Sequence, residues 1–405
     1  MPTLTKYTYN YFLFLFSIIP ITIILGSAVS VVNILIIDLS FIILIIYKKN
    51  FNFLKDKSII YLFVLYFYLI INSFISLDYT EGLLRNFGFL RIIILFAAFN
   101  YFYHQNFFFN RMFKSWLAII LVVIFDVIIE STFGKNLLGY GGLYGNRIVS
   151  FFKDEPVVGG FLNGFFLVLI SFYTDQKKNK YLIALMIILF ISVIFLTGER
   201  SNSLRALIGV FIFLILYKGI DLKKKFLFFV LIGVTIFTLF LNSSFLKHRF
   251  INQLQSIIYQ NNNYFHLYES GFRVFKNYMI FGVGNKNYRV ESCKQNLTIS
   301  SDNEDGGYYC STHPHQIYFE LLSEHGLIGT IVILYIFYKL IFSKIKSVIF
   351  EKKYLKVGSF IYLIIVFIPI LPSGAFFSNF MLTLFAINLS IFYASDKKSN
   401  IFRIK

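Results

Sequence analysis

Charge is what this sequence has least of. Only 14% of its 405 residues are Asp, Glu, Lys or Arg, against about 25% in a water-soluble domain, which excludes a soluble globular protein. Acidic side chains are the scarcer sign, 20 against 38 basic ones. The formal charge of +18 does not point to nucleic acid, because the basic residues form short runs at the ends of apolar segments: Lys48-Lys49, Lys177-Lys178-Asn179-Lys180, Lys223-Lys224-Lys225, Lys344 to Lys356, and the tail from Asp396-Lys397-Lys398 to Lys405. That distribution is the positive-inside signature of cytoplasmic loops. Cysteine is nearly absent, with Cys293 and Cys310 alone; His313 and His315 would complete a zinc ligand set, but the paired-cysteine spacing of structural sites is missing, so zinc is the weaker alternative and no metal is assigned. There is no internal repeat and no separate soluble domain. The first apolar run lacks a small-residue cleavage site and reads as a span rather than a signal peptide.

What is there is apolar. Hydrophobic residues make up 57% of the chain, with 53 Phe, and the mean hydropathy is +0.71. A spanning helix needs about 20 predominantly apolar residues. Twelve candidates centre near residues 18, 38, 67, 94, 122, 166, 188, 210, 235, 328, 362 and 384, the second and fourth interrupted by Asp38 and Arg91. The expected fold is an all-α integral membrane protein in which residues 1–405 form one polytopic domain of about twelve transmembrane helices. Placing the basic loops inside puts both termini in the cytoplasm.

Under that topology the opposite face carries two long polar segments. One runs from about Thr132 to Val158, with Gly139-Tyr140-Gly141-Gly142, Arg147 and Asp154-Glu155-Pro156. The other, residues 242–315, is far longer than an ordinary loop and is expected to carry short helices of its own. It holds both cysteines, which makes a disulfide between Cys293 and Cys310 plausible outside the cytoplasm; closing such a loop stabilises by roughly 3 kcal/mol. Arg147, Arg200 and Arg273 all fall at or near this face, where the topology rule disfavours arginine. Guanidinium groups converging there suit phosphate oxygens, which they grip through forked hydrogen bonds. The bland alternative for each is a snorkelling interfacial side chain.

The 242–315 segment ends in a polar hook, Thr312-His313-Pro314-His315-Gln316, followed by nine residues and then Gly326-Leu327-Ile328-Gly329. Imidazole is the side chain best suited to moving a proton near neutral pH. His325 lies ten residues beyond His315, roughly 15 Å at the helical rise, too far to share a proton, and is expected to pack. Gly326 and Gly329 are expected to let helices approach closely. Asp154-Glu155-Pro156 is expected to open and cap the following helix, or to offer Glu155 as a substrate-binding carboxylate. Ser373-Gly374-Ala375-Phe376-Phe377 is a candidate for closing the cavity.

These motifs resemble the bacterial O-antigen ligase and O-antigen polymerase family. Arg200-Ser201-Asn202-Ser203-Leu204 is similar to its Arg-x3-Leu element. His315-Gln316 with the Gly326–Gly329 pair is similar to its histidine element, and Arg273 with Phe281-Gly282-Val283-Gly284 to its loop segment. The likeness is most specific over about residues 185–330. It implies a GT-C-like, metal-independent inverting glycosyltransferase without cofactor, in the bacterial inner membrane, with its active site facing the periplasm. The implied donor is a glycan on undecaprenyl diphosphate. The implied acceptor is a sugar hydroxyl, either on another lipid-linked repeat unit or on lipid A core, with a chain-length regulator protein as a further candidate partner beside membrane lipid.

On that reading Arg200 and Arg273 face the leaving diphosphate, with Arg147 as a third, because fixed guanidiniums stabilise the charge that builds as the glycosidic bond breaks. His315 is the candidate general base, or a donor that orients the diphosphate; His313 is a candidate substrate-binding residue. Polymerase is slightly favoured over ligase, through Lys153-Asp154-Glu155-Pro156 with Gly159-Gly160. A transporter or flippase for a polyisoprenoid-linked oligosaccharide is the alternative, but it should show repeat symmetry or paired broken helices, and neither is visible in the sequence.

Overall fold

The computed structural model describes residues 6–103, 106–142, 147–153, 155–253, 263–294, 309–351 and 353–402. These fold into helices and connecting turns, with no strand among the described residues. In chain order the helices are α1 (Lys6–Ser17), α2 (Ile19–Ile24), α3 (Ser27–Lys48), α4 (Lys57–Phe74), α5 (Tyr79–Phe87), α6 (Leu90–Phe102), α7 (Asn106–Phe133), α8 (Val158–Asp175), α9 (Lys180–Leu196), α10 (Arg200–Leu216), α11 (Leu222–Asn242) and the short α12 (Ser244–Lys247). Then come α13 (Asn263–Asn277), α14 (Tyr288–Ser292), α15 (Ile317–Leu340), α16 (Ile345–Phe350), α17 (Tyr354–Ile365) and α18 (Asn379–Ala394).

All twelve expected span positions fall within these helices or their junctions. Among the described residues, eight helical stretches are long and apolar enough to cross a membrane. Helices α9, α17 and α18 are apolar but shorter, and α10 carries Arg200 and Arg205 in its first two turns. The chain is a polytopic membrane protein. Asp38 and Arg91, which interrupt two of the runs, are both buried and lie within electrostatic reach of each other, as ionisable groups inside a bundle must.

Helix α8 forms the centre, packed by α9, α10, α17 and α18. Without a hydrophobic drive between helices in lipid, close fit decides the packing. At Gly358 of α17 an added Cβ would lie 2.4 Å from the Leu167 carbonyl of α8, so the two backbones touch. Phenylalanines fill the remaining space: Trp116 meets Phe99, Phe113 and Phe165 edge-on, and its indole N–H donates to the Phe16 carbonyl at 2.9 Å.

Two glycine motifs of the sequence lock onto one another. Gly326 takes φ +63° and breaks α15, and Gly282 takes φ +71° in the turn after α13. The turn fills the break: Leu327 N–H donates to the Met279 carbonyl (2.7 Å), Val283 N–H to Ser323 (2.9 Å) and Gly284 N–H to Glu324 (2.8 Å). A Cβ at Gly282 would meet Glu324 backbone at 2.4 Å, and one at Gly326 the Ile280 carbonyl at 2.4 Å. So Gly326 does more than ease helix contact: its left-handed backbone receives the loop and fixes α13 over the bundle. Gly329 does let α4 approach closely, with Tyr68 against it. His325 is fully buried, its Nδ1 sharing a hydrogen bond with the Tyr68 hydroxyl at 3.2 Å.

Candidate functional site

The N-terminus of α10, the N-terminus of α15 and the segment around α12 lie at the same end of the bundle, here the upper end. The α9–α10 turn is built around Glu199, which is buried. Its carboxylate accepts from Gly159 N–H (2.6 Å), Gly160 N–H (3.3 Å) and the Asn202 amide (2.6 Å). It therefore caps the start of α8 from across the turn, the role expected of Asp154-Glu155. Asp154 lies outside the described residues, and Glu155 is exposed beside Pro156.

Three guanidiniums gather near that carboxylate: Arg147 and Arg249 are within electrostatic reach of it, and Arg200 is within reach of both arginines. Arg147 reaches the Pro156 carbonyl with Nη2 (3.5 Å), while its Nε is buried without a hydrogen-bond partner among the described residues. Arg200, the first residue of α10, has Nη1 buried and unpartnered in the same way. The third is Arg249, in the π-turn His248–Asn252 that follows α12. Its Nε donates to the Gly198 carbonyl (3.2 Å) and its Nη1 to Gln253 Oε1 (2.7 Å). Burial, and then repulsion from Arg147 and Arg200, pulls the Arg249 guanidinium down to about 10. The one carboxylate among them already accepts three hydrogen bonds, so the cluster holds more positive charge than it neutralises.

Tyr264, on the first turns of α13, is within electrostatic reach of both Arg200 and Arg249. Its ring stands edge-on to His315 at 6.2 Å, which links the arginines to the hook. The two hook histidines stack 4.0 Å apart but differ in their bonding. His313 Nε2 donates to the Ser373 carbonyl (3.3 Å), leaving Nδ1 to accept from Thr312 (3.0 Å). Burial, with the neighbouring His315, pushes it down to about 3, so it is a neutral strut.

His315 sits at φ +56°, an uncommon backbone for a residue with a Cβ, held by its carbonyl accepting from Ser373 N–H at 2.8 Å. Its ring makes no hydrogen bond among the described residues, and burial lowers its pKa. A neutral imidazole with an unengaged nitrogen is what proton abstraction needs. Ser373–Phe377 packs against the hook through the two Ser373 contacts, and Phe376 N–H donates to both carboxylate oxygens of Glu320 in α15 (2.9 and 3.0 Å). Gln316 caps α15 by accepting from Phe319 N–H at 2.9 Å.

Arg273 stands apart from the other three. Its Nη2 pairs with Glu269 at 2.7 Å. Nine residues beyond Tyr264, it projects from the opposite side of α13, roughly 14 Å along the axis. Cys293 and Cys310 are joined by a disulfide, which ties α14 to the strand of chain entering the hook. Among the described residues no group of acidic, histidine or cysteine side chains is arranged to hold a metal ion.

Sequence reasoning passed over Arg249, Tyr264 and the capping role of Glu199. The Lys247-His248-Arg249 group is basic on the face where basic residues are disfavoured, the same signal that singled out Arg147, and would have marked Arg249. Residues 183–334 match the family model described as O-Antigen ligase. The matched segment contains Arg200, Arg249, Tyr264, Arg273, His313 and His315, and leaves Arg147 and Glu155 outside. No curated protein matches the chain.

Proposed function

We propose, for a chain that belongs to the O-antigen ligase family through residues 183–334, that the upper-end arginines hold the diphosphate of a lipid-linked glycan donor while His315 serves the acceptor. Membership makes the protein a membrane glycosyltransferase of O-antigen ligase or polymerase type, working with a lipid-linked glycan and an acceptor. The finer reading is that the donor lipid is undecaprenyl diphosphate and that the upper end faces the periplasm. The observation that carries it is the grouping of Arg147, Arg200 and Arg249 around a single committed carboxylate, with donor nitrogens of Arg147 and Arg200 buried and unpartnered.

In the reaction an acceptor hydroxyl attacks the anomeric carbon, its oxygen forming the new bond as the bond to diphosphate breaks. The electron pair leaves on the diphosphate oxygen. Buried guanidiniums aimed there stabilise that charge where water does not screen it. His315 Nδ1 or Nε2 takes the acceptor proton. Attack from the face opposite the leaving group inverts the anomeric centre, and no step requires a metal. Glu199 keeps the α9–α10 turn, and so Arg200, in place. Arg273 joins the diphosphate by exchanging Glu269 for it, and Glu155 and His313 border the acceptor side.

The acceptor of choice is a second lipid-linked repeat unit, making the enzyme a polymerase. Transfer to lipid A core is the second reading, favoured by the description of the matched family. Purified protein in detergent with a diphosphate-lipid-linked repeat unit separates them. A ladder of multiples formed without core supports the polymerase, and a single transfer that requires core supports the ligase. Silence with both acceptors, from protein shown to be folded, would sink the transferase assignment of this site.

A further inference from the structure

The opposite, lower end of the bundle holds a concave pocket of about 490 Å³. It is about 36 Å from the hook at the helical rise of α15, which runs from one to the other. Residues far apart in sequence converge on it: Lys55 and Lys57 before and at the start of α4, Lys339 and Lys344 at the end of α15 and just beyond, and Tyr61 and Tyr393. None of the four lysines forms a salt bridge among the described residues. Asp56, the acidic residue in the lining, is committed to capping α4, accepting from Ser58 N–H at 2.9 Å and the Ser58 hydroxyl at 2.5 Å.

The positive-inside rule explains lysines spread over loops, such as the exposed Lys223 and Lys224. It does not explain four lysines gathered in one cavity around a single lining carboxylate, Asp56, an excess of positive charge that a further anion would offset. The N-terminus of the 18-residue α4 adds its own partial positive charge.

The surroundings define the anion. Lys339 Nζ lies 5.2 Å over the Tyr335 ring and Lys344 Nζ 5.8 Å over the Tyr393 ring. Tyr335, Tyr338 and Phe342 are exposed on the surface beside the pocket, where apolar helix meets the membrane boundary. A ligand that uses both features carries a phosphate on an apolar tail. We propose that this pocket binds the phosphate-bearing headgroup of an anionic phospholipid, its acyl chains lying along the exposed aromatic face of α15; basic pockets between spanning helices are suited to such headgroups. The proposal does not depend on the transferase reading of the upper end.

Thermal unfolding of the full chain in detergent tests it, with phosphatidylglycerol, phosphatidylcholine or inorganic phosphate added. Phosphatidylglycerol is expected to raise the apparent Tm of the wild type, and the shift should shrink with added salt. The Lys339→Gln/Lys344→Gln double variant should lose most of the shift. Lys55→Gln/Lys57→Gln, which alters two exposed side chains, provides a second reading should the first variant fold poorly. A full shift retained in both variants, or an equal shift with phosphatidylcholine, overturns the site. A shift with inorganic phosphate that the variants abolish overturns the lipid as its occupant.

Discussion

The two ends of the bundle handle buried charge in opposite ways. At the lower end Lys356 is 1% exposed, yet its ammonium reaches Asp396 at 2.7 Å, Glu351 at 3.1 Å and the Ser347 hydroxyl. Asp396 in turn accepts from Lys398 N–H and Ser399. At the upper end, among the described residues, Arg147 and Arg249 reach one carboxylate that three donors already occupy, with Arg200 beside them, and nitrogens of Arg147 and Arg200 are buried with no partner. Burying charge costs free energy at both ends, but at the lower end the neighbours offset it. A native fold leaves few buried donors unpaired, and in the proposed reaction the donor diphosphate supplies acceptors to those of the upper end. Compensated charge holds the fold together; on the function proposed above, the uncompensated charge is kept for the donor diphosphate.

Breaking the lower network should have the largest effect on stability. Lys356→Ala leaves Asp396 buried without its main partner and is expected to cost about 3–5 kcal/mol, read as a fall in Tm in detergent, with transfer activity per folded molecule retained. A small Tm change would mean that this network is solvated rather than compensated. Arg200→Ala should do the reverse. Transfer is expected to fall on the order of 10²–10³-fold, the usual loss for one donor to a developing anion, while Tm holds or rises because a repulsive charge is gone. If Tm fell as far as activity, the cluster would be structural and the contrast between the ends would collapse.

The helices were legible because apolarity over the length of a span is a local property. Twelve expected positions match twelve helical stretches, even where Asp38 and Arg91 interrupt the run: the two buried groups lie within electrostatic reach of each other, and Arg91 also donates to the Gly88 carbonyl and Asn379. The meeting of Arg147, Arg200 and His315 was legible only through topology and motif resemblance. What remained hidden depends on contacts between distant residues. Glu199 caps a helix that begins 41 residues earlier, at Val158, so the nearer Asp154-Glu155 took its place in the reading. Gly326 reads as a packing glycine until the 278–284 turn is seen filling its break. Arg249 was hidden within a long polar segment.

The paired histidines sharpen the contrast within the upper end itself. An ordinary imidazole titrates near about 6.5, and burial lowers His315. If its neutral form accepts the acceptor proton, kcat/KM should fall only as pH drops below about 6.5, and His315→Gln should lower it on the order of 10²-fold or more and remove that limb. His313→Gln should leave the limb where it was. A limb at or above 6.5 would rule out His315 as the group seen. His313 acts on stability instead. Its folded pKa, about 3, lies below its unfolded value. The folded state therefore binds fewer protons, and stability present above about 6.5 is lost as pH falls toward 3.

The smallest effect is expected at Arg273, and it tests whether the cluster is complete as it stands. Arg249 already lies among Arg147 and Arg200, whereas Arg273 is partly exposed and paired with Glu269 on the far side of α13. An exposed pair of this kind contributes about 1 kcal/mol or less to stability, and to assist the reaction Arg273 must exchange Glu269 for diphosphate. Arg249→Ala should therefore approach the loss seen for Arg200→Ala, and Arg273→Ala should cost no more than about tenfold, roughly 1.4 kcal/mol in ΔΔG‡. Glu269→Gln removes this ion pair and should leave transfer unchanged or slightly faster. If Arg273→Ala instead matched Arg200→Ala, α13 would have to turn toward the cluster when donor binds. Its anchor makes that turn testable: the turn after α13 is held in the Gly326 break by backbone hydrogen bonds, so a Gly282→Ala change that loosens it should then impair transfer through Arg273 and not through Arg249.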